Sequence, residues 1–238
     1  MKNGFTLAEV LITLGIIGVI FAVTIPSLLA RHQKQVTVNR LKQTYTILYQ
    51  AVEMAINDNG PIETWDIKNA DYFNSDAYNY GKEFAQKYLF PYMKVIKNCK
   101  YNSRECLAEK AYYLDKSGNT YISAYNNVTY NFVLSNGVVL CVWPRGNVVE
   151  IFVDINGKAK PNTAGKDIFY MLIVKNAGIS TIFGKFPSAG VYFYGQGHDR
   201  EYLKTQYYNC AKTGFLSGMY CGALIMLDGW KISKDYPW

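Results

Sequence analysis

An α+β fold, with one long amino-terminal helix laid against an antiparallel sheet, is what this chain predicts, and three observations carry the prediction. Residues 10–30 form an uncharged run, apolar groups then recur at helical spacing from Leu41 to Ala55, and much of the second half divides into short β-type runs separated by turn signals. Half of the 238 residues are hydrophobic, which suffices for one core and one further apolar segment.

The 21 residues of the uncharged run are enough to cross a hydrocarbon layer of ~30 Å as a helix. A secretory signal has a shorter apolar region that ends at a small-residue cleavage site. Here the run leads instead into Leu41, Tyr45, Leu48, Val52 and Ala55, the stripe of an amphipathic helix. Asn57-Asp58-Asn59-Gly60-Pro61 then stops it. Continuous from Phe5 to about Asp58, the helix measures ~80 Å. Pro26 removes a backbone hydrogen bond inside it and predicts a kink or local melting, and Gly15 and Gly18 loosen the same region.

Residues 61–74 read as a polar connection and 76–97 as a second helix with Phe84, Tyr88 and Tyr92 turned to the core. Strands are expected at 111–114, 120–125, 129–134, 138–142, 150–153 and 168–174. Lys116-Ser117-Gly118, Asn136-Gly137 and Asn156-Gly157 serve as hairpin turns. The tail reads as a helix over 199–209, a loop from Cys210 to Cys221, and a closing strand over 223–227.

Composition excludes several function classes. The formal charge is +7, but 25 basic residues are scattered among 18 acidic ones without a Lys/Arg tract, so no nucleic-acid partner is implied. Two His and five Cys without a C-x-x-C pair offer little for metal or nucleophilic chemistry. Gly195-Gln196-Gly197 lacks the rest of a dinucleotide fingerprint, and no Walker motif occurs. The chain does not read as an enzyme. Cys99 and Cys106 lie seven apart, Cys210 and Cys221 eleven apart, and Cys141 sits alone in an apolar run. Two local bridges and one buried thiol are expected, which implies an oxidising compartment, although five cysteines allow many connectivities.

Glu9 is the sharpest signal. A carboxylate four residues inside an otherwise apolar membrane segment is costly and marks a function with a partner. Cleavage after Gly4 creates such a partner, the amino group of Phe5, which Glu9 of a neighbouring copy can meet.

Lys-x-Gly followed by Phe5-Thr6-Leu7-Ala8-Glu9 and an apolar run containing Pro26 resembles the amino terminus of type IV prepilins and type II secretion pseudopilins. The specific match covers about the first thirty residues, and the four-residue leader is short for that family. The resemblance implies a pilin-like chain divided into a leader (1–4), a transmembrane and polymerisation helix (5–30), an amphipathic helix (31–60) and a globular head (61–238). It implies cleavage between Gly4 and Phe5 by prepilin peptidase, methylation of the Phe5 amine, and assembly through Glu9 and Pro26. The implied partners are the lipid bilayer, related pilin subunits, and a membrane platform with a cytoplasmic ATPase. The implied location is the bacterial inner membrane with the head outside the cytoplasm, and then a filament.

Arg31, Lys34, Arg40 and Lys42 follow the span while only Lys2 precedes it, and this asymmetry alone would hold the head in the cytoplasm. The resemblance and the cysteines point the other way.

Residues 154–167 resemble the D-x-N-G…P-N…G-x-D loop of pseudopilin-like heads. Asp154, Asn156, Asn162 and Asp167 are candidate calcium ligands there, while the simpler reading is a long turn whose Asx side chains satisfy their own backbone. Pilins also carry a disulfide near the carboxyl terminus that bounds a surface loop. Cys210 and Cys221 match it, with Lys212, Thr213, Phe215 and Leu216 as contact candidates. Other readings of the chain are a membrane-anchored extracytoplasmic binding protein and a minor prepilin of a DNA-uptake filament.

Overall fold

The computed structural model describes residues 6–70, 76–99, 101, 105–115, 122, 128–181, 183–214 and 216–238. Its first element, α1, runs without interruption from Leu7 to Asn59. The expected melting at Pro26 does not occur. Proline leaves only the Ala22 carbonyl without its amide partner, and the nearby Thr24 and Ser27 hydroxyls donate to the carbonyls of Ile20 and Thr24, each at 2.8 Å. At its far end Gly60 takes φ of 81°, returns its N–H to the Ile56 carbonyl, and offers its own carbonyl to the Trp65 indole at 2.8 Å.

The second half of α1 is amphipathic because its buried residues, Thr37, Val38, Leu41, Thr44, Leu48, Ala51, Val52 and Ala55, follow three- and four-residue steps. Tyr45, expected in the same stripe, is half-buried and stacks on Phe193 with ring centres 5.3 Å apart.

The second helix is shorter than the sequence suggests. It covers Ala77–Tyr88 (α2), then a single 3₁₀ turn at Phe90–Tyr92, then a strand at Val95–Asn98 (β1). Pro91 cannot continue an α-helix, and the residues that follow, Val-Ile-Lys-Asn, enter the sheet. Tyr92 is partly buried against the core, as expected, although it sits in the 3₁₀ turn and not in α2. Its hydroxyl donates to the Asp58 carboxylate at 2.7 Å and ties this turn to the end of α1.

Strands β2 (Tyr130–Leu134), β3 (Val139–Pro144), β4 (Val148–Asp154) and β5 (Ile168–Val174) follow, then a small hairpin of β6 (Ile179–Thr181) and β7 (Gly184–Phe186), and β8 (Gly190–Phe193). Among the described residues six strands make one antiparallel sheet in the order β1-β2-β3-β4-β5-β8. The β2–β3 turn is the tight one expected: Gly137 adopts φ of 83° and the Asn136 side chain accepts from the Val138 N–H. The Asn156-Gly157 pair does not close a hairpin but opens the long loop between β4 and β5. Of the expected strand at 111–114 only Tyr112 pairs, with Thr163, and most of the expected strand at 120–125 lies outside the described residues.

Pairing register divides the sheet into two faces. Tyr130, Phe132, Val142, Ile151, Met171 and Phe193 share the face covered by the helices, through Phe90 on Phe132 and Tyr45 on Phe193. Strands β3 and β5 are buried on both sides, so they lack the alternation of a half-exposed strand.

The tail holds two short helices, α3 (Arg200–Thr205) and α4 (Cys221–Leu227). The second replaces the expected strand. Its Ala-Leu-Ile-Met-Leu run has no period that separates the two states, and it packs as a buried helix turn beside β5. Arg200 clamps the last residues by pairing with Asp228 and Asp235, both at 2.8 Å.

Bridges join Cys99 to Cys106 and Cys210 to Cys221, and Cys141 is a buried free thiol on β3. The Cys210–Cys221 bridge closes the loop between the two tail helices, and replacing both cysteines with serine is expected to cost roughly 2–3 kcal/mol. A fall in the urea midpoint of the detergent-solubilised chain checks this.

Candidate functional site: the exposed half of the first helix

Between Leu7 and Leu29 the large apolar side chains face outward with nothing of this chain upon them. Leu7, Leu11, Leu14, Val19, Val23 and Leu28 are each at least 60% exposed. The same helix is buried in the head from Thr37 onward, so one continuous rod passes from an apolar surface to a core. A soluble monomer does not carry a patch of this extent without something to cover it. Among the described residues this is the helix long and apolar enough to cross a membrane, a character it shares with anchors and signal sequences.

At the amino-terminal end of this rod sits Glu9, which has a partner in its own chain that sequence reasoning overlooked. Its carboxylate accepts from both the Thr6 N–H and the Thr6 hydroxyl at 2.8 Å, and the Glu9 N–H donates to the Thr6 oxygen at 3.3 Å. This is a capping box, and its signature, Thr-x-x-Glu before an apolar run, stands in the sequence. The hydrogen bonds satisfy the oxygen but supply no positive charge. Gly4 and Phe5, the expected cleavage and methylation residues, lie outside the described residues.

The loop over residues 154–167 is built as a turn. One oxygen of Asp154 accepts from the N–H groups of Asn156 and Gly157, at 3.1 and 2.7 Å. Asp167 accepts from Asn162 and Thr163, at 2.7 and 2.6 Å. Burial pushes the Asp167 carboxyl up, and these backbone donors oppose the rise. The Asn162 amide, with its nitrogen turned toward the loop interior, meets the Gly157 and Ala159 carbonyls. Asn156 Oδ1 lacks a hydrogen-bond partner among the described residues, and one amide oxygen falls far short of the six to eight ligands that calcium takes. Among the described residues no cluster of three or more His, Cys, Asp or Glu side chains is arranged to hold a metal. The four residues are thus arranged as a turn that satisfies its own backbone, the simpler of the two readings.

The remaining chemistry-bearing groups are engaged in packing. His198 stacks on Tyr202 at 3.8 Å and meets the Thr181 carbonyl at 3.2 Å. Burial pushes the Cys141 thiol well up, the reverse of what a thiolate nucleophile needs. Of the carboxyl-terminal contact candidates, Lys212 and Thr213 are at the surface, Leu216 is partly buried against the core, and Phe215 lies outside the described residues.

A family model described as "Family of unknown function (DUF6613)" matches residues 27–238, which takes in the whole head and the buried half of α1. No curated protein and no solved structure matches the chain.

Proposed function

From the premise that the chain belongs to this family of unknown function, we propose that it is a pilin- or pseudopilin-type structural subunit, anchored and polymerised through the exposed half of α1 and without catalytic activity of its own. The observation that carries the reading is the division of one unbroken helix into an exposed apolar half that bears Glu9 and a half buried in a disulfide-bridged head. The prepilin-like sequence around Gly4 and Phe5 adds the processing step.

In this reading the apolar half first lies in the inner membrane, with the head outside the cytoplasm, and later lines the core of a filament. Glu9 carries its charge into that low-dielectric setting, where a charge needs an opposite one close by. The methylated amine of Phe5 on the adjoining subunit meets this need. Pro26 leaves one carbonyl without an amide, so the rod can stretch locally there as subunits pack. Subunits, prepilin peptidase and a membrane platform driven by a cytoplasmic ATPase are the partners.

Intact mass tests the processing directly. Chain isolated from cells that contain prepilin peptidase is expected to lack Met1–Gly4 and to carry one methyl group, and chain from peptidase-deficient cells to be full-length. An unprocessed chain in peptidase-positive cells would sink the proposal and leave a plain membrane anchor.

A further inference from the structure

Where α1 enters the head, it forms one wall of a groove of about 380 Å³. The other wall is the loop after β4, and Trp238 closes one side. Three cationic side chains line this groove, Arg40 from the helix and Lys160 and Lys166 from the loop. Among the described residues none of the three forms an ion pair. The carboxylate present, Asp167, is turned into the loop by its two backbone donors. Burial and the neighbouring Lys212 both depress the Lys166 ammonium, while Asp167 opposes them, so this corner favours an added negative charge.

The position of the groove is as informative as its charge. Its helix wall begins at His32, immediately after the apolar run ends at Ala30. At 1.5 Å of rise per residue, His32 to Gln33 at the near end of the groove lie roughly 3–5 Å beyond that end, within a headgroup layer of about 5–8 Å, and Arg40, about 15 Å beyond it, reaches the layer only through the length of its side chain. Lys34 sits over the Trp238 ring at 5.7 Å, and an indole beside basic groups is the composition of a membrane interface.

We infer that this groove holds the headgroup of an anionic phospholipid of the bilayer that α1 crosses, with Arg40, Lys160 and Lys166 around the phosphate and Trp238 against the glycerol region. The inference rests on the part of the proposed function that puts the apolar half of α1 in a membrane, and on nothing about processing or assembly. It gives Arg40, one of the four basic residues after the span, a role in gripping lipid that does not depend on which side of the membrane it faces.

The test uses the full chain in nanodiscs of equimolar phosphatidylcholine and phosphatidylglycerol, extracted gently and examined by native mass spectrometry for the lipids that remain bound. Phosphatidylglycerol is expected to be enriched about tenfold over phosphatidylcholine, in line with the attraction of a few basic groups to an anionic surface. Lys160→Glu with Lys166→Glu should bring the retained lipids back to the nanodisc composition. If circular dichroism shows that pair to be unfolded, Lys160→Gln with Lys166→Gln should lose most of the enrichment. Retention that follows nanodisc composition in the unaltered chain, or enrichment indifferent to the folded double variants, overturns the groove as the site. Displacement of the lipid by millimolar inorganic phosphate overturns it as well, because the groove would then be a free-phosphate site. A chain that does not enter nanodiscs at all overturns the membrane span itself, an outcome distinct from the others.

Discussion

Glu9→Gln is expected to leave the chain in the membrane and to reduce its incorporation into filaments on the order of a hundredfold, the scale of an unmatched charge within a buried pair. The choice of glutamine matters. A capping box accepts Gln as well as Glu at its third helical position, so the bonds to the Thr6 N–H survive and α1 still begins at Leu7. The variant removes the charge and little else. Glu9→Ala removes the cap as well and should be no worse in assembly if the charge is what counts. Sheared filaments quantified against membrane-inserted chain give the measurement. Normal incorporation of Glu9→Gln would exclude the pairing with the Phe5 amine and reduce Glu9 to a helix cap. Loss with alanine but not glutamine would say the same.

Gly81→Val is expected to destabilise the head by about 3 kcal/mol. Gly81 lies at the centre of α2 where the helix rests directly on the sheet. A Cβ there would stand 2.7 Å from the Val142 carbonyl oxygen and 2.9 Å from Tyr130 Cβ. Both neighbours belong to sheet strands, so neither can swing aside, and the helix must lift from the sheet. Thermal unfolding in detergent should show a fall of roughly 6–12 °C for a domain of this size. Alanine should cost less. An unchanged melting temperature for the valine variant would mean that α2 is not seated as closely as described. Gly81 is the kind of residue that sequence reading passes over, since glycine inside a helical pattern registers as a weakness and not as a contact surface.

The same contrast runs through the molecule. The stripe from Leu41 to Ala55 was legible by its period and became the buried face of α1, while the run at 168–174, which has no period, was legible as β5 by its β-branched and aromatic content and its length. Asn136-Gly137 marked a true tight turn, a loop over residues 135–137 that needs positive φ at its last position, where Gly137 stands. Asn156-Gly157 misled because the same dipeptide also opens long Asx-held loops, and only Asp154 and Asp167 folding back on the chain decides between them. The tail helix α4 was read as a strand because a five-residue apolar run carries no period. Of the candidate site, the apolar span and Glu9 were plain in the sequence. The capping box was present as Thr6-x-x-Glu9 and unread. The basic groove was not legible, since it joins residues near 40, 160 and 238 that only the fold brings together.

The carboxyl-terminal residues return to the first helix: Trp230 tilts against Tyr45 with ring centres 5.8 Å apart, and Lys42 and Lys34 lie over the rings of Trp230 and Trp238. A ribosome makes these partners about 190 residues apart, so at 5–20 residues per second the mounting surface of α1 waits on the order of ten to forty seconds for its last cover. The head is thus a late-closing structure. During that interval the part of the helix that Trp230 and Trp238 will cover stays open, and early capture of the leading half by lipid would leave only that part in need of protection from aggregation.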